Sequence, residues 1–119
     1  MKIWLDDDRE APYRWTRANT VQDVITAMLN AKTNVECVSL DYSLGISSDI
    51  KDQGVGVLLW LIDIVEKDPA FYVPEIRIHS GSASGRMFMM EQRDKLYEII
   101  GREVIPDPSG SNRIWNSIW

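Results

Sequence analysis

The stretch Lys2-Ile3-Trp4-Leu5-Asp6-Asp7-Asp8 decides the fold, because a short apolar run ends there in three acids. A nearly continuous apolar run of this length is typical of a strand buried on both faces, as in a parallel sheet covered by helices. Val35–Leu40 is similarly rich in strand-forming residues and is followed by Asp41. Glu75–His79 alternates polar and apolar residues, which is typical of a strand with one apolar face. The sequence therefore predicts three strands that each end in polar side chains.

Apolar residues recur at helical spacing in three segments between and after these strands. The first segment follows Thr20, a good N-cap residue, with Asp23 placed three residues later as in a capping box. The predicted helices are Val21–Ala31, Gly54–Glu66 and Arg86–Ile100. Two weaker strands are predicted at Arg14–Ala18, whose arginines suit a sheet edge, and at Glu103–Ile105. This alternation predicts an α/β protein with right-handed crossovers, in which the helix between the first two strands is short or absent.

The charge balance restricts the classes of partner. The 119 residues include 13 Lys and Arg against 18 Asp and Glu, so the formal net charge is −5. A surface of that sign repels phosphate backbones and anionic lipids, which excludes general nucleic-acid binding and adhesion to membranes. At this length we expect one domain over residues 1–119, large enough to bury a core.

Cysteine, histidine and hydropathy exclude further classes. The chain has one cysteine, Cys37, and one histidine, His79, so it has neither an internal disulfide nor a zinc site built from these residues. Its longest apolar stretch, Gly54–Ile62, is much shorter than the roughly 20 residues that cross a bilayer. Acids follow Met1 too soon for a signal peptide, and we therefore expect a cytoplasmic protein.

Acids stand where two predicted strands end, and ligands of parallel sheets bind beyond the carboxyl ends of the strands. Asp6 and Asp7 follow the first strand, and Asp41 follows the third. Converging carboxylates repel one another unless they take up protons or share a cation. We therefore predict Mg²⁺ or Mn²⁺ held by Asp6, Asp7 and Asp41, with Asp8 as a capping or supporting residue. The alternative is that these acids form solvated turns.

The end of the fourth predicted strand carries a second set of candidates. His79 is the only side chain that ordinarily titrates near neutrality, so it could transfer a proton or orient a phosphate. The loop Ser80–Gly85 precedes a helix and is followed by Arg86, an arrangement that suits a phosphate. Its candidate ligand-binding residues are Ser80, Ser82, Gly85 and Arg86. The alternatives are a histidine that closes a strand and a loop that only caps a helix.

Two apolar groups have no assigned chemistry. Met87, Met89 and Met90, with Phe88, are interpreted as adaptable core packing. The C-terminal tail, about residues 107–119, carries Trp residues at 115 and 119. This tail either packs back on the domain or offers a surface for self-association or a protein partner.

The acids after the first and third strands resemble those of receiver domains of two-component signalling. In that family an acid pair follows the first strand, the phosphoacceptor Asp the third, a Ser or Thr the fourth and a Lys the fifth. Asp6 with Asp7, Asp41 and Ser80 match the first three positions, whereas no lysine follows Lys95.

The chain more closely resembles the cyclic-phosphate processing receiver domain, whose motifs stand at the same strand ends. The matching stretches are Leu5-Asp6-Asp7 with Arg9 and Pro12, Ser39-Leu40-Asp41 with Leu44-Gly45, and His79-Ser80 with Gly85-Arg86. Ser43 stands where that group is expected to have an acid, and Ser82-Ala83 where it has Asn-Pro. The resemblance implies a flavodoxin-like, receiver-like parallel sheet of four to five strands with helices on both faces.

The resemblance also implies a metal-dependent phosphoesterase that processes cyclic phosphates or nucleotides in signalling or conflict systems. In this hypothesis Asp41, His79 and Arg86 are catalytic: Asp41 helps hold the cation, His79 transfers a proton, and Arg86 stabilises developing negative charge. Two alternatives stay open. One is a stand-alone receiver that accepts a phosphoryl group on Asp41, and the other is a non-catalytic module that binds a nucleotide or a protein.

Overall fold

Four parallel strands form one sheet in the computed structural model, which describes residues 1–45 and 47–103. They are β1 (Lys2–Leu5), β2 (Thr16–Ala18), β3 (Cys37–Leu40) and β4 (Glu75–Ile78), in the spatial order β2-β1-β3-β4. β1 lies between β2 and β3, with Leu5 opposite both Ala18 and Leu40. The predicted parallel sheet is confirmed, and the carboxyl ends of β1 and β3 adjoin. The strand predicted at 103–105 and the tail at 107–119 lie outside the described residues, apart from Glu103, which is in no regular element.

Three α-helices follow the strands: α1 (Val21–Ala31), α2 (Val55–Lys67) and α3 (Ala83–Ile100). The predicted capping box is present, since the Thr20 side chain accepts from the Asp23 amide and the Asp23 side chain accepts from the Thr20 amide. α3 begins at Ala83, three residues earlier than predicted, because the Ser82 hydroxyl caps it. No described helix is long and apolar enough to span a membrane.

The core lies on one face of the sheet. Alternate residues of the three longer strands are buried there with side chains from all three helices. The strand residues are Ile3, Leu5, Val38, Leu40, Ile76 and Ile78. The crossovers from β2 to β3 and from β3 to β4 run in the same direction, so right-handed connections place α1 and α2 on this face, and α3 packs against α2. Met89 is fully buried in this core, as predicted, whereas Met87 is exposed.

The opposite face of the sheet carries no helix in the described part of the chain. Helices were predicted on both faces, but residues 6–15 connect β1 to β2 as a loop, in agreement with the prediction of a short or absent first helix. Trp15 from this loop packs edge-on against Trp4 of β1, with ring centroids 5.8 Å apart. Trp4 and the small side chain of Ser39 are buried on this face.

Two side chains of α3 close the outer edge of β4 at one residue. The Ile76 amide donates to the Tyr97 hydroxyl at 2.9 Å, and Arg93 donates to the Ile76 carbonyl at 3.3 Å. Both backbone groups of Ile76 that point away from β3 are therefore paired.

Candidate functional site

Three carboxylates meet at the adjoining ends of β1 and β3. One oxygen from each of Asp6, Asp7 and Asp41 lies within 4.8 Å of the other two. Asp6 is fully buried, Asp41 is half-buried, and Asp7 is exposed. Asp8 stands outside this acidic cluster, and its backbone amide donates to Asp6. The structure thus brings together the three acids that the sequence selected as metal ligands.

A turn directly after β1 lets consecutive acids face one site. Asp6 Oδ1 accepts from the amides of Asp8 and Arg9, both at 2.9 Å, and this turn ends the side-chain alternation of the strand. Asp7 Oδ2 accepts from the Gly45 amide at 2.6 Å. Gly45 has a φ of +63°, a left-handed conformation that glycine adopts at little cost. The Leu44-Gly45 motif therefore supplies the backbone conformation that holds Asp7.

A second glycine lets α2 begin directly beside the acidic cluster. A Cβ atom on Gly54 would lie 1.6 Å from the Asp41 carbonyl oxygen. The Gly54 amide also donates to the Tyr42 carbonyl at 2.8 Å. No other residue type fits this approach, so Gly54 fixes the backbone that carries Asp41.

The acidic cluster concentrates negative charge in a partly buried site. Burial, and next the charge of Asp6, raise the pKa of Asp41 to about 6, although the Tyr42 amide and the Arg9 guanidinium act in the opposite direction. Three hard oxygen donors in one site are the donor set that Mg²⁺, Mn²⁺ and Ca²⁺ prefer. A divalent cation would also relieve the repulsion among the carboxylates. The residues present therefore fit a divalent metal ion.

His79 lies beneath the acidic cluster and contacts one of its members. Its Nε2 atom is 3.2 Å from Asp6 Oδ2, and its Nδ1 atom is 2.7 Å from Ser39 Oγ. The ring is fully buried and stacks on Trp4, with centroids 3.5 Å apart and planes 8° from parallel. Burial is the main cause that lowers the pKa of His79 to about 4, against the effect of Asp6. His79 is therefore a neutral, enclosed residue near pH 7.

The loop after β4 is held mainly by its own hydrogen bonds. Ser80 is buried and its hydroxyl accepts from the Ser82 amide at 3.2 Å, while the Ser82 hydroxyl accepts from the Gly85 amide at 3.1 Å. Arg86 Nη1 donates to the Ser80 carbonyl at 2.7 Å. Within the described ranges, no hydrogen bond from Arg86 reaches the acidic cluster. Arg86 thus braces the loop that sequence analysis assigned to phosphate.

Tyr42 joins this loop to the acidic cluster. It directly follows Asp41, and its ring lies against the first turn of α3. A Cβ on Gly85 would come within 2.6 Å of that ring, which explains why glycine stands in the first turn of α3. The ring also approaches Phe88, with centroids 6.4 Å apart. The end of β3 and the start of α3 therefore form one continuous surface.

Sequence reasoning missed two residues of the site. Arg9 donates to the His79 carbonyl at 3.5 Å and has its Nη2 atom 3.1 Å from the Cβ position of Gly81. Its charge lowers the pKa of Asp41, and an arginine so close to the acids in sequence was the available signal. Ser39 is two residues before Asp41, so strand alternation alone placed both on one face.

A cavity of about 490 Å³ opens beside Asp7. The start of α1 forms one wall, with the side chains of Asn19, Val21 and Gln22, and Leu44 and Asp52 line the other. Its lining combines apolar carbon surface with polar and acidic side chains, and small-molecule sites likewise pair apolar walls with polar groups. Its volume falls in the range of roughly 300–1,000 Å³ that such sites occupy.

Comparison with known families agrees with the motifs and the fold. Residues 1–95 match the family model of the cyclic-phosphate processing receiver domain. No curated protein matches the chain. No solved structure matches it either. The matched residues include all four strands, the acidic cluster and His79. The chain therefore belongs to the cyclic-phosphate processing receiver domain family.

Proposed function

We propose that this protein is a phosphoesterase that depends on Mg²⁺ or Mn²⁺ and acts on a cyclic phosphate of a nucleotide. The observation that carries the proposal is the convergence of Asp6, Asp7 and Asp41 within 4.8 Å. A cluster of carboxylates needs a cation before it can approach a phosphate, because both are negative. The family description supports phosphate chemistry as the class of reaction.

In the proposed site, Asp6, Asp7 and Asp41 hold the divalent cation. When bound, that ion would polarise a phosphoryl oxygen and neutralise negative charge that develops on it. Ser43 is exposed and outside the cluster, so the protein supplies three carboxylates and leaves remaining positions to solvent or substrate.

Positive charge beside the acidic cluster comes from Arg9 in this proposal. Arg9 is exposed and adjoins the Ser80–Gly85 loop through Gly81. A guanidinium donates two parallel hydrogen bonds to a phosphate, so Arg9 binds the substrate while Arg86 keeps the loop in place. The amides of Ala83 and Ser84, in the first turn of α3, have no acceptor among the described residues, and they would face the same negative charge.

The proton-transfer role suggested by the sequence for His79 does not suit its surroundings. Both ring nitrogens have partners and the ring is fully buried. A general acid or base must lie within hydrogen-bond reach of the proton it moves. We therefore assign His79 to the orientation of Asp6. The cavity beside Asp7 is then the place for the nucleoside part of the substrate.

Turnover in the presence and absence of metal tests this function. The purified chain with Mg²⁺ or Mn²⁺ is incubated with 2′,3′-cyclic nucleotides, 3′,5′-cyclic nucleotides and cyclic dinucleotides, and products are separated by chromatography. We expect hydrolysis of one class, which EDTA and Asp41→Asn abolish and Asp8→Asn retains. A protein that binds Mn²⁺ yet turns over none of these compounds would contradict an enzyme and favour a nucleotide-binding module.

The position of Asp41 favours one other function, acceptance of a phosphoryl group. Asp41 directly follows β3, one of the two inner strands, and lies inside the acidic cluster, as a phosphoacceptor would, although no lysine follows Lys95. Treatment with acetyl phosphate and Mg²⁺ followed by intact-mass measurement separates the two functions. A labile phosphate that Asp41→Asn removes would identify a phosphoacceptor, whereas a phosphoesterase of the proposed kind gains none.

A further inference from the structure

Three buried polar side chains form one hydrogen-bonded chain beneath the acidic cluster. Ser39 Oγ lies 2.7 Å from His79 Nδ1, and His79 Nε2 lies 3.2 Å from Asp6 Oδ2. All three side chains are fully buried. The imidazole is also stacked on Trp4 at 3.5 Å between centroids, so its plane is fixed. This hydrogen-bonded series begins at Ser39, whose hydroxyl bonds to His79, and ends at Asp6, the most buried acid of the acidic cluster.

The direction of each hydrogen bond follows from the chemistry of the partners. An ionised carboxylate has no hydrogen to donate, so His79 Nε2 must donate to Asp6. A neutral imidazole carries one N–H, so Nδ1 is then an acceptor and the Ser39 hydroxyl donates to it. The ring is fully buried and stacked on Trp4, surroundings that favour its neutral form. The chain thus runs from the Ser39 hydroxyl to the Asp6 carboxylate in one direction.

Ser39 matters because the neutral ring has two tautomers. If Nδ1 carried the hydrogen, the Nε2 lone pair would face the negative oxygen of Asp6 at 3.2 Å. The Asp6 carboxylate therefore selects the Nε2–H tautomer, and the Ser39 hydroxyl is the donor for the Nδ1 atom left unprotonated; a buried ring has no water to replace that donor. With the Nε2–H tautomer, Asp6 receives one hydrogen bond on Oδ2 and two backbone hydrogen bonds on Oδ1. Its carboxylate plane is then fixed on both sides.

We propose that Ser39 is a positioning residue that donates to Nδ1 of the Nε2–H tautomer of His79 and thereby fixes the ring that orients Asp6 for a divalent cation. The effect on the cation rests on the proposed function, whereas the tautomer does not. Partners behind a metal ligand orient it in this way, and their loss typically costs roughly 10–100-fold in metal affinity. Ser39 acts one hydrogen bond further away, through His79, so we expect a loss at the lower end of that range, about tenfold, when its hydroxyl is removed.

The single histidine makes the tautomer directly measurable. In uniformly ¹⁵N-labelled protein, a long-range ¹H–¹⁵N correlation shows one pair of ring nitrogens, both of which belong to His79. At pH 7 without metal we expect a protonated Nε2 and an unprotonated Nδ1. Ser39→Ala should keep Nε2 protonated, because Asp6 still accepts from it, but should shift the ¹⁵N resonance of Nδ1, which loses its donor. Cys37→Ala is the matched control, because Cys37 is buried on the same face of the same strand and the change also removes one heavy atom.

Mn²⁺ titration followed by electron paramagnetic resonance supplies the second measurement. Ser39→Ala should weaken Mn²⁺ binding by about tenfold, and Ser39→Thr, which keeps a hydroxyl, should recover most of the affinity. Cys37→Ala should stay within about threefold of the wild-type affinity. The wild-type spectrum tests the proposal even where a variant does not fold.

Several outcomes would overturn the inference. A wild-type ring that is protonated at Nδ1 or at both nitrogens would do so, as would an unchanged Nδ1 resonance and Mn²⁺ affinity in Ser39→Ala. Equal losses of Mn²⁺ affinity in Ser39→Ala and Cys37→Ala would also overturn it, because they would show a general packing effect. A wild-type protein that shows the Nε2–H tautomer but binds no Mn²⁺ would overturn the proposed function instead, so the two failures are distinguishable.

Discussion

Gly54→Ala should destabilise the protein strongly, although helix propensity alone predicts the reverse. Gly54 has helical dihedral angles, φ −53° and ψ −33°, and alanine is preferred to glycine in helices by about 1 kcal/mol. An alanine Cβ would, however, lie 1.6 Å from the Asp41 carbonyl oxygen. Since real Cβ atoms essentially never come closer than 3.0 Å to such an atom, backbone must move by at least 1.4 Å.

The size of the effect follows from that displacement. Overpacking typically costs roughly 1–3 kcal/mol when side chains can adjust, and here the obstacle is backbone. The movement also disturbs the Gly54–Tyr42 backbone hydrogen bond, which contributes about 1 kcal/mol. We therefore expect a loss of about 4 kcal/mol in the free energy of unfolding, or a Tm lower by roughly 15 °C for a domain of this size.

Urea denaturation followed by circular dichroism measures the change, with Gly101→Ala as the control. Gly101 has a φ of +72° but nothing within 4 Å of its Cβ position, so its substitution should cost only the roughly 1–2 kcal/mol of left-handed backbone strain. A free energy of unfolding for Gly54→Ala within about 1 kcal/mol of the wild type would refute the close approach of α2 to Asp41.

Four further predictions follow from particular contacts. Asp7→Asn should weaken Mn²⁺ binding by at least roughly tenfold in a paramagnetic titration, while Asp8→Asn, outside the cluster, changes it less than about threefold. Gly45→Ala should cost roughly 1–2 kcal/mol by urea denaturation and also weaken Mn²⁺ binding, because alanine disfavours the left-handed backbone that directs the amide of residue 45 to Asp7; unchanged binding would separate that contact from the metal site. Tyr97→Phe should cost roughly 1–3 kcal/mol by the same method, since the Ile76 amide loses its acceptor, and a neutral result would show that another group replaces it. Burial lowers the pKa of His79 from 6.5 to about 4, so the unfolded chain binds more protons on this residue between those pH values. The corresponding stability is lost as pH falls through that window, and His79→Gln should make Tm less sensitive to acid there; an unchanged slope would contradict a buried neutral ring.

The strands and the acids at their ends were predictable because both depend on short-range patterns. The run before Asp6 predicts a buried strand, and parallel topology then brings Asp6 and Asp41 to the same edge of the sheet. The start of α3 was predicted three residues too late, because its N-cap, Ser82, lies in a Gly/Ser-rich stretch that is typical of a loop. Local patterns therefore gave the scaffold of the site together with its three acids.

The roles of individual side chains in the site were not predictable, because they depend on tertiary contacts that local sequence patterns do not contain. His79 stands at a strand end, which suggested chemistry, yet Trp4 and Ser39 enclose it. Arg86 has the type and position of a phosphate ligand, yet it donates to the loop carbonyl of Ser80. Arg9 stands beside the acids in sequence, yet its approach to Gly81 joins segments about seventy residues apart. Long-range contacts decide these roles, and a single sequence does not reveal them.

The closure of β4 at Ile76 has a consequence for assembly. A sheet edge with free amides and carbonyls invites a strand from another molecule to extend it. A strand from another molecule that paired with β4 at Ile76 would first have to displace the Tyr97 hydroxyl and the Arg93 guanidinium, which are hydrogen-bonded to the Ile76 backbone. The contacts from α3 therefore oppose the addition of a further strand to β4 at Ile76.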